Sequence, residues 1–463
     1  MVPGAGIEPA RYFYRGILSP LRLPISPPGP GAICGRAVYS KVAAIALKRD
    51  GILNRDWRKK WYLLHLSSVT PIRCHHFGPQ RSTTLVYAEF TDEQSAIKDA
   101  ASRFTADRIT PFAADWDAHH IFPRDTIQEA ASLGFGAIYV SEDSGGIGLS
   151  RVEAALIMEE MAYGCPSTSA FISIHNMASW MIDNFGDDEL KKRFLPRLIT
   201  MDNIASYCLT EPSSGSDAAA LRTEARRDGD EYVINGAKAF ISGGGENEIY
   251  VCMLRTGDEG PGGVSCIVVE KGTPGLSFGA PEKKMGWHSQ PTAMVQFDDC
   301  RVPVSNRVGS EGQGFKIAMA GLDGGRLNIG ACSLGGAQRC LDATVEYVKE
   351  RKQFGKSIAE FQNTQFKIAE MATKLAAARA LLYQAARKVS EGAPDKTSSA
   401  AMAKLFATET GSAVANQALQ LHGGYGYLQD YPIERYMRDL RVHEILEGTN
   451  EIMRMIIGRD ILS

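Results

Sequence analysis

No run of apolar residues in this sequence approaches the roughly 18 to 20 needed to cross a bilayer, so it offers no membrane-spanning helix. Charge of one sign is missing as well. The 51 Lys and Arg stand against 53 Asp and Glu, a formal net charge of -2, which exerts no overall pull on nucleic acid or on an anionic surface. Neither a membrane nor nucleic acid is therefore an expected partner. The nine cysteines include no C-x-x-C pair, and an odd, scattered set suits buried thiols in a reducing compartment better than a disulfide framework. Cys74-His75-His76 has no second ligand pair at zinc-like spacing, so no metal is expected. A dinucleotide fingerprint and a Walker loop are absent too. Gly243-Gly244-Gly245 lies beside a strand pattern rather than between strand and helix and reads as a turn, which disfavours a nicotinamide enzyme of Rossmann type.

What is present divides the chain. With 463 residues, 44% of them hydrophobic, it can bury cores for two to four domains. Residues 1–88 are a different kind of object. Pro20, Pro24, Pro27, Pro28 and Pro30 exclude regular structure from the early part, and residues 1–84 carry thirteen basic side chains against three acids. A poorly ordered basic extension is expected there, either an organelle leader or upstream sequence read as coding, the second being favoured.

From Thr91 the texture turns helical. Thr91 and Gln94 form a capping-box pattern ahead of Ala96, Ala100, Phe104 and Ile109, and Ser150 and Glu153 repeat it. The apolar stretch from Ala170 to Phe185 stops at Gly186, a helix-ending residue. Period-two patterning follows: Glu231 to Ile234, the turn pair Asn235-Gly236, Ala239 to Ile241, Ile249 to Met253 and Val264 to Val269 read as short strands. Helical texture resumes near Gly314, with long Ala-rich stretches over 358–389 and 395–421. The order predicts a multidomain α and β chain: a helical domain over 89–206, an all-β unit over 207–312 and a C-terminal helical bundle over 313–463.

One carboxylate stands out. In Ile445-Leu446-Glu447-Gly448-Thr449-Asn450-Glu451-Ile452, Glu447 enters an apolar run beside a glycine, where poor solvation of its charged form would raise its pKa and make it a stronger base. Taken alone, such a residue is more often a helix cap or a solvated loop carboxylate. Upstream, Tyr207-Cys208-Leu209-Thr210-Glu211-Pro212-Ser213-Ser214-Gly215-Ser216 joins a strand end to a turn rich in hydroxyl and amide donors, suited to a polar ring edge or phosphates.

Together with Phe240-Ile241-Ser242, Arg351-Lys352-Gln353-Phe354-Gly355, Gln420-Leu421-His422-Gly423-Gly424 and Glu447-Gly448-Thr449-Asn450-Glu451, in that order, this loop resembles the acyl-CoA dehydrogenase family. The resemblance covers about residues 89–463. Ser173-Ile174-His175-Asn176-Met177 and Gly286-Trp287-His288-Ser289-Gln290-Pro291-Thr292 are similar to the members that act on short branched acyl-CoAs, isobutyryl-CoA above all.

The resemblance implies a helical domain, a middle β-barrel and a C-terminal four-helix-bundle-like domain, assembled as a homotetramer. It also implies FAD, bound non-covalently and partly by a neighbouring subunit. The 207–216 loop and Phe240, Ile241 and Ser242 would meet the flavin ring, and Arg351 the pyrophosphate, where a planar guanidinium suits paired phosphate oxygens. Phe361 and Gln362 would lie along the adenosine, Gln420, Leu421, His422, Gly423 and Gly424 against the cofactor, and Thr449, Asn450 and Glu451 would close the flavin site. Ser216, Asp323, Arg326, Gly448 and Arg459 would contact the acyl-CoA. Glu447 would remove the α-proton while flavin N5 accepts the β-hydride.

Some branched-chain relatives carry the base one residue before the Arg that matches Arg326, a position held here by Gly325, which cannot serve. Electron-transfer flavoprotein is the implied electron acceptor, with an oxidase using oxygen as the alternative. Butyryl or 2-methylbutyryl chains, and a DNA-associated flavoprotein, are further readings. The implied compartment is the cytoplasm in a bacterium and the mitochondrial matrix in a eukaryote.

Overall fold

The computed structural model describes residues 90–463. The basic extension expected over 1–88, with Cys34 and the Cys74-His75-His76 cluster, lies outside them. Helix α1 (Asp92–Phe104) begins at the expected cap: Thr91 Oγ1 accepts from the Gln94 amide and Gln94 Oε1 from the Thr91 amide, both at 3.2 Å. Its buried face is shifted by one residue from the expected register. Ile97 and Ala101 are enclosed, with Ala96 and Ala100 half-buried beside them, because the larger side chain of Ile97 gains more from burial. A π turn and two short helices follow, α2 (Ala113–His119) and α3 (Arg124–Ser132). The second capping box opens α4 (Arg151–Gly164), and Pro166 opens α5 (Pro166–Phe185). Gly186 does end α5, in an extended rather than left-handed conformation. Helix α6 (Asp188–Ile199) completes this part.

The middle of the chain is one eight-stranded sheet: β1 (Ala205–Cys208), β2 (Glu224–Asp228), β3 (Glu231–Ser242), β4 (Ile249–Arg255), β5 (Val264–Glu270), β6 (Leu276–Phe278), β7 (Thr292–Pro303) and β8 (Arg307–Val308). Two expectations change here. Asn235-Gly236 does not turn a hairpin; β3 runs through it as a single strand, and the register against β7 shifts there as a bulge. Gly236, with φ +134, passes so close to β2 that a Cβ would meet the Thr223 backbone at 2.8 Å. The sheet, in the order β6-β7-β3-β2-β4-β5-β8 with β1 beside β4, is also open rather than a closed barrel. Its edge strands, three and two residues long, are too short to ladder together.

Both faces of the central strands are buried. Ile249, Val251 and Met253 pack with Met177, Met181, Phe194 and Leu198 of the helices, while Tyr250, Cys252 and Leu254 face a core shared with Tyr232, Ile234, Val295 and Phe297. Beyond the sheet, α7 (Gly314–Glu350) is a 37-residue helix enclosed along most of its length. A small hairpin, β9 (Lys352–Gln353) and β10 (Lys356–Ser357), leads to α8 (Gln362–Glu391), α9 (Lys396–His422), α10 (Ile433–Arg441) and α11 (Asn450–Leu462). Helices from both ends of the described chain enter one core, in which Ile97, Leu156, Leu327, Leu382 and Leu440 belong to the same buried cluster. That core fixes α5, α7, α9 and the loop before α11 relative to one another.

Candidate active site

The loop between α10 and α11 takes an uncommon path. Glu447 has φ +55 and Gly448 φ +87, two successive left-handed residues, after which Thr449 caps α11 by accepting from the Ile452 amide at 3.3 Å. Left-handed backbone is costly for a residue bearing a Cβ and persists where surrounding contacts impose it. The turn sends the Glu447 side chain onto α7 opposite Gly325. A Cβ at Gly325 would sit 2.9 Å from the Glu447 carboxyl carbon and 3.1 Å from Met177 Sδ. The bare glycine is what lets the carboxylate approach the helix.

Although the residue is half-buried, its Oε2 is shut off from solvent and has no hydrogen-bond partner. Burial raises the pKa of Glu447 to about 7, against the opposing pull of Arg326 and Lys404. Arg326 is itself enclosed and pairs with Asp323 at 2.8 Å; its Nε is unpartnered, and Thr397 donates to the far oxygen of Asp323 at 2.8 Å. Lys404 of α9 is fully buried, donating to the Gly448 carbonyl at 2.8 Å and to Asn450 Oδ1 at 2.9 Å. Tyr207, at the end of β1, carries a buried hydroxyl with no partner, and burial followed by the negative field of Glu447 holds its pKa well up. A cavity of about 610 Å³, lined among others by Tyr139, Arg151, Trp180, Asp323 and Arg326, opens against this group. Arg151 lies 3.7 Å over the Tyr139 ring and 5.1 Å from that of Trp180, a cation held between aromatic faces. A carboxylate poised near neutral pH, next to an arginine that lines an open cleft, can take a proton from a carbon acid.

The profile of the acyl-CoA dehydrogenase N-terminal domain matches residues 91–202, that of the middle domain 206–300 and that of the C-terminal domain 312–462. The chain belongs to the acyl-CoA dehydrogenase family. It is 56% identical over 372 residues to the mitochondrial isobutyryl-CoA dehydrogenase of Dictyostelium discoideum and 55% identical over 372 residues to that of Bos taurus, each match covering 80% of this chain and 89% of the relative. The solved butyryl-CoA dehydrogenase of Megasphaera elsdenii superposes with a TM-score of 0.79 at 38% identity, covering 81% of this chain and 100% of that one. The protein is thus an acyl-CoA dehydrogenase, an oxidoreductase of a flavoprotein family.

The tertiary structure sorts the residues singled out in the sequence of this dehydrogenase. Around Glu447 it gathers Gly448, Asp323, Arg326 and Tyr207. In the 207–216 loop, Glu211 is turned inward: it pairs with the fully buried Lys238 at 2.7 Å and accepts from the Arg222 and Thr223 amides, so it pins the loop. Ser214 is also enclosed, its hydroxyl donating to the Asp217 carbonyl. Cys208 packs into the sheet core; Leu209 and Thr210 are half-buried, and Pro212, Ser213, Gly215 and Ser216 are exposed. Ile241 is buried and Ser242 half-buried behind Phe240.

His422 is held by the Ala418 carbonyl at 2.8 Å and stacks on Tyr347, with Leu421 against the core and Gln420 exposed. Thr449 serves as the cap and Asn450 as an acceptor for Lys404, while Glu451 and Arg459 are exposed.

Several exposed residues are of the kinds that suit a large planar, phosphate-bearing group such as FAD. Phe240 is left-handed, with φ +58, and 68% exposed, an aromatic face presented with nothing covering it. Arg351 lies 5.3 Å from the Tyr425 ring and has no carboxylate partner among the described residues. Gly423 and Gly424 are exposed, with open space where a Cβ would stand, and Phe361 and Gln362 open α8 beside the β9–β10 hairpin.

Sequence reasoning missed Lys404, Arg151, Tyr139 and Met177. Lys404 did leave a signal: it falls on the small-residue stripe Ala400, Ala403, Ala407 and Gly411, spaced for the buried face of a helix. A lysine there must be paired.

Proposed function

We propose that this chain oxidises a short branched acyl-CoA, isobutyryl-CoA to methacrylyl-CoA, with Glu447 as the base for the α-proton. The observation that supports this reading is the buried, unpartnered Oε2 of Glu447, held against Gly325 with its pKa raised to about 7. The α C–H bond breaks with its proton passing to Glu447, and the β C–H bond breaks as hydride while the Cα–Cβ double bond forms. Bound FAD supplies the acceptor for that hydride. The chain's own residues do the rest. Met177 of α5 and Gly325 of α7 confine the carboxylate, and the Asp323–Arg326 pair with Tyr139 and Arg151 shapes the space for the thioester arm. The Phe240 face, Arg351 and Gly423-Gly424 would receive the flavin ring, the pyrophosphate and the adjoining part of the cofactor. Ser216 and Arg459 are assigned to the outer part of the acyl-CoA. The isobutyryl assignment draws on the Dictyostelium and bovine relatives; butyryl and 2-methylbutyryl chains are the alternatives, since one methylene in an apolar pocket is worth only about 1–3 kcal/mol.

We assign the domains to 89–206, 207–312 and 313–463, the assembly to a homotetramer and the electron acceptor to electron-transfer flavoprotein, with molecular oxygen as the competing acceptor. Glu447→Gln tests the base: turnover with isobutyryl-CoA and an artificial acceptor should fall by roughly 10²–10⁴ while the flavin absorbance of the purified protein persists. Turnover near that of the unaltered enzyme would end the assignment. A panel of straight and branched acyl-CoAs in the same assay ranks the acyl chains.

A further inference from the structure

Lys404 is the least exposed cation near the reaction centre, at 0% of its accessible surface. Nothing in the function proposed above uses it. Burying an ammonium is costly unless it is fully engaged, and this one is spent on a single object, the turn that carries the base. One N–H reaches the Gly448 carbonyl at 2.8 Å and another Asn450 Oδ1 at 2.9 Å, while Thr408, one turn further along α9, donates to the same Asn450 oxygen at 3.2 Å. These contacts bracket Glu447-Gly448 from the C-terminal side. They supply the restraint that two successive left-handed residues, φ +55 and +87, require.

We propose that Lys404 is a positioning residue for the α-proton base: from beneath the turn it locks the Glu447-Gly448 backbone and, as a buried positive charge, stabilises the ionised carboxylate that must accept the proton. The proposal rests on Glu447 being that base. The charged and titratable groups around the pair are few. Arg326 with its partner Asp323 faces Glu447 from α7, Tyr207 from β1 and Tyr139 from the cavity wall; Glu444, Glu451 and the neutral His443 lie on the Lys404 side. Arg326 already shares its charge with Asp323, which leaves Lys404 as the cation whose nearest engagement is the base's own turn. Burial lowers the pKa of Lys404 to about 8, with Glu447 drawing it back up.

The test uses the flavin-loaded full chain with Lys404→Met and Lys404→Gln. The first removes charge and donor; the second removes charge and keeps an amide donor for the Gly448 carbonyl. The Glu447 carboxyl is titrated by infrared difference against Glu447→Gln, and pH profiles of kcat/KM are recorded beside it. In both variants the carboxyl midpoint and the acidic kinetic limb should move up together by about one pH unit. In Lys404→Met, plateau kcat should also fall about tenfold with KM little changed, and Lys404→Gln should recover part of that loss. If the Met variant fails to fold with flavin, the Gln variant carries the titration. An unmoved carboxyl midpoint in a folded, flavin-loaded variant overturns the proposal alone. A midpoint that moves while the kinetic limb stays put removes Glu447 from the base's role, and the proposal falls with it.

Discussion

Two glutamates in this enzyme, each with an enclosed carboxylate oxygen, show how opposite surroundings move one kind of side chain in opposite directions. Glu159, in α4, is surrounded by partners: Arg379 donates to it at 2.8 Å and the Tyr383 hydroxyl at 2.8 Å. Burial pushes its pKa up, but the Arg379 charge and the two hydrogen bonds outweigh burial and leave it below the usual value. Glu447 has burial without the partners: its Oε2 is bare, its two cations are engaged elsewhere, and its pKa rises to about 7. A satisfied carboxylate ties helices together. An unsatisfied one is left free to take a proton.

The comparison can be broken most directly by removing each carboxylate. Glu447→Gln should abolish most of the turnover and spare the fold, whereas Glu159→Gln should leave turnover per bound flavin nearly intact and cost about 3–5 kcal/mol of stability, the toll of breaking a buried ion pair. Steady-state kinetics beside urea unfolding of both variants decides it. Equal losses of stability would erase the contrast.

The pH dependence of stability should carry opposite signs. For Glu447 the folded pKa lies above the unfolded one, so its ionised form costs stability that appears as pH rises through about 4.5 to 7. Glu447→Gln should therefore be more stable than the parent above pH 7, by up to about 3 kcal/mol, and the gain should vanish below about pH 4.5. Glu159, with a lowered pKa, contributes stability above its unfolded pKa and loses it as pH falls through the folded one. Urea unfolding at about pH 3, 5 and 8 at fixed flavin concentration measures both slopes, the Glu159 slope between the first two and the Glu447 slope between the last two.

Two glycines sharpen the same point. Gly325→Ala places a methyl against the Glu447 carboxyl carbon and Met177 Sδ, and should cost about 1–3 kcal/mol in overpacking along with a drop in kcat. Gly458→Ala, in α11 with nothing within 4 Å of the added carbon, should stabilise by roughly 0.5–1 kcal/mol and leave kcat alone. Thermal unfolding and kinetics of the pair separate close approach at the base from ordinary helix propensity. A Gly325→Ala enzyme with unaltered kcat would show that the contact is slack.

Local signals in the sequence were the most legible. Thr91 with Gln94 and Ser150 with Glu153 mark helix starts because capping is settled within four residues. The continuous apolar run over Ile249–Met253, with its β-branched and aromatic residues, marks a strand for a similar reason. Asn235-Gly236 was legible only as an irregularity: whether it turns a hairpin or bulges a strand depends on β2 and β7 lying beside it, and neither neighbour is visible from four residues. Lys404 was legible only as a lysine on a buried stripe that must be paired, because its partner Gly448 lies 44 residues away, and Arg151 was not legible because the aromatic rings it meets come together only in the fold.

The sequence alone determined the order of helical, β and helical segments and the membership in a flavin-using family through five motifs, and it singled out Glu447 as a candidate base. Each of these depends on residue type and short spacing. The tertiary structure decided that Glu447 Oε2 is unpartnered, that the carboxylate packs where a Cβ on Gly325 would stand, that Glu211 and His422 pin loops, and that a buried lysine hydrogen-bonds the turn that carries Glu447. Those depend on desolvation and on contacts between distant segments, which exist only once α5, α7, α9 and the sheet have closed around one another.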